Sequence, residues 1–275
     1  MNRYQATNFA AIFLTSLGCD RSGRHLSGGN EATSKPSSPV SKTRPAKPSR
    51  PVGFALHDDF ENATIADFWM PGDHGSGRYE PGAVHVDDNL ARSGDACVRI
   101  TLREGDIAQI GADGTHHERA ELDSGKHRLI GRTVRYQYAV RIPQEFPIVP
   151  TRLVIAQWKQ KRVRGGPLIA VRFRRGIHHL TIRKLGESEN ARHYFALPPL
   201  TPAVWHDMIV TIRYATDATG FIRVMMNGKE AARFDGPTAM PDHDPRFYNK
   251  FGLYRDRMEQ PMTIYYDDYS MEVVE

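Results

Sequence analysis

The run Val134-Arg135-Tyr136-Gln137-Tyr138-Ala139-Val140-Arg141-Ile142 alternates without a break. Val134, Tyr136, Tyr138, Val140 and Ile142 therefore share one face of an extended chain, a period of two that no helix can use. Leu168 to Arg175 repeats the pattern, with Ile169, Val171 and Phe173 opposite Ala170, Arg172 and Arg174. Further strands are predicted at 96–102, 153–159, 179–184, 207–214, 221–226, 250–254 and 262–274. Met226-Asn227-Gly228-Lys229 is a two-residue hairpin signal. No long helical periodicity competes. The expectation is an all-β domain over residues 52–275, an antiparallel β-sandwich with one face of each sheet buried and the other available to a ligand.

The front of the chain has a different character. Arg3 followed by the apolar stretch 9–17 reads as an export signal over residues 1–19, and Gly18-Cys19 suggests acylation of Cys19 after cleavage. Residues 20–51 are rich in Ser, Pro, Gly and Lys and nearly free of large apolar side chains. Such a segment cannot bury enough surface to offset its ordering entropy, so it is expected to be a disordered tether. The localisation that follows is outside the cytoplasm, periplasmic or at the cell surface, with a lipid anchor as the membrane attachment. No apolar run approaches the roughly 20 residues of a spanning helix.

The net charge of +5 sits in that tether. Residues 20–50 hold seven Lys/Arg and two acids, whereas 51–275 hold 29 basic and 30 acidic residues. Within the domain, however, 119–192 carry 17 Lys/Arg against five acids. A local excess of this kind points to a polyanionic partner. Nucleic acid is not the expected one, since the domain is near neutral and carries no nucleic-acid-binding motif.

Three short boxes carry candidate chemistry. In a strand through His117-Glu118-Arg119-Ala120-Glu121-Leu122, His117, Arg119 and Glu121 share a face. In Ile155-Ala156-Gln157-Trp158-Lys159, Ile155, Gln157 and Lys159 share one, and Trp158 points to the core. In Tyr248-Asn249-Lys250-Phe251-Gly252-Leu253-Tyr254, Tyr248, Lys250, Gly252 and Tyr254 share one, and the glycine leaves that face open to close approach. Singly, each box is an ordinary solvated strand face. Together they repeat one design, with cationic or hydrogen-bonding groups on one side and mainly apolar groups on the other.

These boxes resemble those of the jelly-roll polyuronate lyases, in the alginate-lyase-like and heparin lyase I-like branches. There the boxes read roughly R-S-E-L, Q-I-H and Y-F-K-A-G-x-Y. The flanks at 81–88, 93–100 and 265–269 also resemble this concanavalin-like superfamily. The resemblance implies a polysaccharide lyase that cleaves an anionic, uronic-acid-containing polymer by β-elimination. It implies catalytic roles for Arg119, Gln157, Lys159, Lys250 and Tyr254. Arg119, Gln157 and a lysine would neutralise the sugar carboxylate, and Tyr254 would act as acid, on a syn path also as base, with Lys250 lowering its phenol pKa. Substrate contacts are expected from His117, Glu121, Arg172, Arg174 and Tyr248.

One position departs from the family pattern. Lys159 stands where the second box ends in His. A lysine acts as base only if burial or neighbouring cations lower its pKa, and Lys161, Arg162 and Arg164 are near in sequence. His117 is the other candidate base. The departure also leaves room for a non-catalytic carbohydrate-binding sandwich.

No metal is required by this scheme, and the histidines show no ligand spacing. Asp267 and Asp268, with Glu61 or Asp59, are the acidic positions that would suit a structural calcium. Two cysteines are too few for a disulfide framework, and Cys97 is expected to be a buried thiol. A monomer is expected. A glycoside hydrolase on a similar sandwich would need a catalytic carboxylate pair on a strand, and none is found.

Overall fold

Alternation becomes strand throughout the computed structural model, which describes residues 53–61, 63–71, 82–110 and 116–275. In chain order the strands are β1 (Ala55–Asp58), β2 (Met70–Pro71), β3 (Val84–Asp87), β4 (Cys97–Leu102), β5 (Ile107–Ile110), β6 (His116–Asp123), β7 (His127–Arg128), β8 (Thr133–Arg141), β9 (Leu153–Gln160), β10 (Ile169–Arg174), β11 (Ile177–Arg183), β12 (Arg192–Ala196), β13 (His206–Arg213), β14 (Phe221–Met226), β15 (Lys229–Asp235), β16 (Arg246–Asp256) and β17 (Met262–Val273). No α-helix occurs among the described residues. The export signal, Cys19 and the tether lie outside them.

Two antiparallel sheets result. One runs β15-β14-β13-β8-β17-β4-β3, with β1 also on β17. The other runs β12-β11-β10-β9-β16-β6-β2, with β5 on β6 and β7 on β16. The β14–β15 hairpin turns at Asn227 and Gly228, whose φ values of 51° and 75° suit the right-handed twist of the strands it joins.

Between the sheets lies one apolar core. The alternating set Val134, Tyr136, Tyr138, Val140 and Ile142 faces it from one sheet, and Ile169, Val171, Phe173 and Trp158 from the other. Aromatic rings fill its centre. Phe251 lies 4.5 Å from Tyr266, and Trp69 lies 4.5 Å from Tyr269 and 4.9 Å from Phe251, between ring centroids. Buried hydroxyls are satisfied internally, as Tyr136 with Tyr214 at 2.8 Å. Cys97 is a free, buried thiol, its pKa pushed up to about 12 by burial.

The sheet of β6, β16 and β9 departs from simple alternation at one place. Ala156 faces Phe251 on β16 and Val171 on β10, yet Val154 faces Tyr254 and Arg172. Against β10 the shift is a bulge at Ile155, the extra residue of β9, whereas against β16 the extra residue lies on β16 between Phe251 and Tyr254. Ile155 therefore turns into the core beside Ala156 and Trp158, instead of sharing the face of Gln157 and Lys159. Its carbonyl accepts the buried Tyr266 hydroxyl at 2.5 Å.

Candidate active site

The three boxes lie on adjacent strands at the middle of the nine-stranded sheet. Tyr254 on β16 pairs with Arg119 on β6, Lys250 with Gln157 on β9, and Tyr248 with Lys159. Their outward faces coincide because β6 and β16 stay in regular register, and β9 pairs regularly with β16 from Ala156 to Gln160, beyond the bulge. Arg119, Gln157, Lys159, Tyr248 and Tyr254 line a groove of about 520 Å³. Arg152, Arg162, Arg172 and Arg192 complete its charged lining, which contains no carboxylate.

The carboxylates lie beneath the groove. Glu121 is fully buried and accepts a hydrogen bond from Gln157 Nε2 at 2.5 Å. Its other oxygen lies 3.2 Å from Arg119 Nε as an ion pair. It fixes the amide and the guanidinium, and it does not line the groove as a substrate contact. Lys250, expected at the groove, likewise lies beneath it. Its side chain is 0% exposed, and its ammonium lies 3.6 Å from Asp123 Oδ2. Burial draws the Lys250 ammonium below its usual pKa and the Asp123 carboxyl above its own. Lys250 is a buried countercharge to Glu121 and Asp123, not a groove residue.

Gly252 also has a different cause from the one its sequence position suggests. Its φ is 139°, and a Cβ there would sit 2.3 Å from the Ala120 carbonyl oxygen of β6. The neighbouring strand requires the glycine.

Lys159 remains at the groove. Its pKa is lowered to about 8, first by burial and then by Arg119 and Lys250. Those cations reach it across the sheet, so its sequence neighbours Lys161, Arg162 and Arg164 are not the main cause. A fraction of Lys159 is thus a neutral amine near neutral pH. Tyr254 is packed between cations: the Arg119 guanidinium lies 4.3 Å from its ring centroid and that of Arg152 5.5 Å. The cations beside its ring are thus Arg119 and Arg152, whereas Lys250 lies 5.7 Å from the ring of Tyr248. Burial, then Asp123 and Glu121, push the Tyr248 phenol above its usual pKa.

His117 stands behind Tyr254, with ring centroids 5.5 Å apart. Its Nδ1 lies 3.3 Å from an Arg152 guanidinium nitrogen and 3.5 Å from Asp256 Oδ1, and it is not part of the groove lining. Arg172 and Arg174 lie in an adjoining cavity of about 430 Å³. The two cavities share Arg152, Arg172, Asn190 and Arg192. Arg174 gives its Nε to the Pro150 carbonyl at 2.8 Å.

Sequence reasoning did not single out Arg152, Asn190 or Arg192. The only signal for the two arginines was the positive balance of 119–192, and Asn190 had none. Arg152 is held by Asp256, through its backbone N–H at 3.1 Å and its Nε at 3.0 Å.

Of the acidic positions considered for calcium, Asp267 accepts the backbone N–H groups of Arg92 at 2.7 Å, Ser93 at 3.3 Å and Asp268 at 2.7 Å. Glu61 accepts those of Asp95 at 2.8 Å and Ala96 at 3.3 Å. No group of three or more His, Cys, Asp or Glu placed for a metal occurs among the described residues.

The profile of the family described as polysaccharide lyase matches residues 60–270. The chain belongs to the polysaccharide lyase family. Among solved structures, this lyase-family chain is similar to the endo-β-1,4-glucuronan lyase of the fungus Trichoderma reesei. That likeness has a TM-score of 0.55 at 18% identity and covers 76% of this chain and 96% of that one. The alginate lyase AlyC3 follows with a TM-score of 0.51 at 11% identity, covering 70% and 79%. A cellulose-induced protein, Cip1, has a TM-score of 0.50 at 14% identity, covering 78% and 96%. At these identities the likeness is one of fold. No curated protein matches the sequence.

Proposed function

We propose that the protein is a lyase that cleaves an anionic, uronic-acid-containing polysaccharide by β-elimination. The observation that carries this reading is the composition of the groove. Cations and one pinned amide line it, its carboxylates are withdrawn beneath the floor, and a lysine with a lowered pKa, cross-strand partner of Tyr248, shares the lining with Tyr254.

The proton at C5 of a uronate is weakly acidic while the sugar carboxylate is charged. Arg119 and Gln157, both held by Glu121, offer fixed donors to that carboxylate as charge accumulates on it. Neutral Lys159 takes the C5 proton. The C4–O bond breaks, a C4–C5 double bond forms, and Tyr254 supplies a proton to the departing oxygen. No oxidant, reductant or water enters the balance. His117 is the weaker base in this scheme, because it faces Arg152 and Asp256 and lies off the groove lining. The domain acts outside the cytoplasm on its tether, anchored through acylated Cys19, and Cys19→Ala is expected to move the protein from the membrane to the soluble fraction.

The test is incubation of the purified protein with alginate, glucuronan, heparan sulfate, hyaluronan and pectate. At least one polymer is expected to yield the ultraviolet absorbance of an unsaturated uronate, and Tyr254→Phe to abolish it while binding persists. Retardation of wild type on a polymer-containing gel with no absorbance from any polymer would show a carbohydrate-binding module instead.

A further inference from the structure

Cross-strand rows run from the middle of the nine-stranded sheet to its β12 edge. One joins Arg119, Tyr254, Val154, Arg172 and His179. The next joins Lys250, Gln157, Ala170, Thr181 and Tyr194. Beyond it, Arg183 pairs with Arg192. The middle row is low, because Ala170 and Thr181 are small and buried. It forms the floor of a trough with Arg172 on one bank and Arg192 on the other. The trough leaves the groove at Gln157 and ends at Tyr194, a residue 69% exposed.

Both banks are built. Arg172 Nε donates to Thr181 Oγ1 at 3.0 Å. Arg192 donates to the Glu189 carbonyl at 2.5 Å and lies close enough to Gly166 that a Cβ there would be 3.0 Å from its guanidinium. Among the described residues, neither arginine makes an ion pair with a carboxylate. Burial, then Arg192 and Arg152, lower the Arg172 pKa to about 10; Asp256, the carboxylate in this cavity's lining, is paired with Arg152.

The geometry points to a second acid-group subsite in this trough. Arg172 and Arg192 hold the carboxylate of a sugar further along the polymer from the one at Arg119 and Gln157, and Tyr194 offers an apolar face to the ring that follows. The centre of the arginine pair lies two strand spacings from Gln157, roughly 10 Å, or about two pyranose units. The polymer then crosses the strands from β9 towards β12. This inference rests on the groove being a polyuronate site.

Calorimetric titration of oligomers of β-1,4-glucuronan and of alginate, two to six units long, tests it. The titrations use the Tyr254→Phe protein, or KM of the wild type if that variant still turns over. Affinity is expected to step up once the oligomer is long enough to reach the arginine pair. Arg172→Met and Arg192→Met are each expected to remove about tenfold of the longer oligomer's affinity and clearly less of the dimer's, because both arginines also border the groove. Carboxyl reduction of the hexamer should cost wild type a similar factor at this subsite, so that Arg172→Met adds little to it. Tyr194→Ala should weaken the longer oligomers alone. The absence of a length step in both series, or a step that survives both arginine variants, overturns the subsite. Loss of the lyase reading is a separate result, namely that no polyuronate develops the unsaturated product even though the step is present.

Discussion

Lys159 is the base of the proposed elimination, at the position where the second box departs from the family pattern. Its pKa of about 8 makes base and neutraliser roles separable. As base it must be neutral, so kcat/KM should rise with pH through an apparent pKa near 8. Lys159→Arg keeps the charge and cannot give up its proton at these pH values. It is expected to lower kcat by about a hundredfold or more while binding persists. A variant with near wild-type turnover would assign Lys159 to carboxylate neutralisation. Stability gives an independent reading. The folded state holds Lys159 less protonated than the unfolded chain between pH 8 and its usual value of 10.5. Stability from this group therefore rises with pH across that window, and below pH 8 the buried charge is a constant cost. Lys159→Met should raise Tm at pH 7, with the gain fading as pH approaches the upper end of the window.

At the scale of elements, β16 and its neighbours place the groove. Gly252→Ala forces a side chain into the β6 backbone at a φ that favours glycine, and should cost about 3 kcal/mol or more in denaturant unfolding. Lys250→Met leaves two buried carboxylates without their ammonium and should cost about 3 kcal/mol, most of it recovered in the double variant with Asp123→Asn. These strands also show what was legible in the sequence. Alternation gave most of the longer strands and most of their parity, and the Asn227-Gly228 pair gave the hairpin, while short strands such as β1, β5, β7 and β12 carried no such signal. Alternation also put Arg119, Gln157, Lys159 and Tyr254 on faces that turn out to meet. Parity assigns a side chain to a face and says nothing of its depth, so Lys250 and Glu121 read as groove residues although both are buried. Ile155 was placed on the wrong face because its bulge depends on pairing with β10. Arg192 was missed because β12 is a short edge strand, and only pairing with β11 brings it beside Arg172.

Across the whole molecule, one sheet packs and the other also presents the groove. Six of the 17 Lys/Arg of the 119–192 segment line that groove, whose lining holds no carboxylate, while the domain as a whole is near neutral. Association with a polyanion is then governed by a local field, and KM for the polymer should rise steeply with added salt while the Tm of the protein changes little. A salt-insensitive KM would detach recognition from these arginines. The most direct measurement of the central claim is the mass balance of cleavage. When a single uronate hexasaccharide is digested, elimination gives two fragments whose masses sum to that of the substrate, one of them unsaturated. A sum heavier by one water, or a substrate recovered intact under conditions where it binds, would contradict the account.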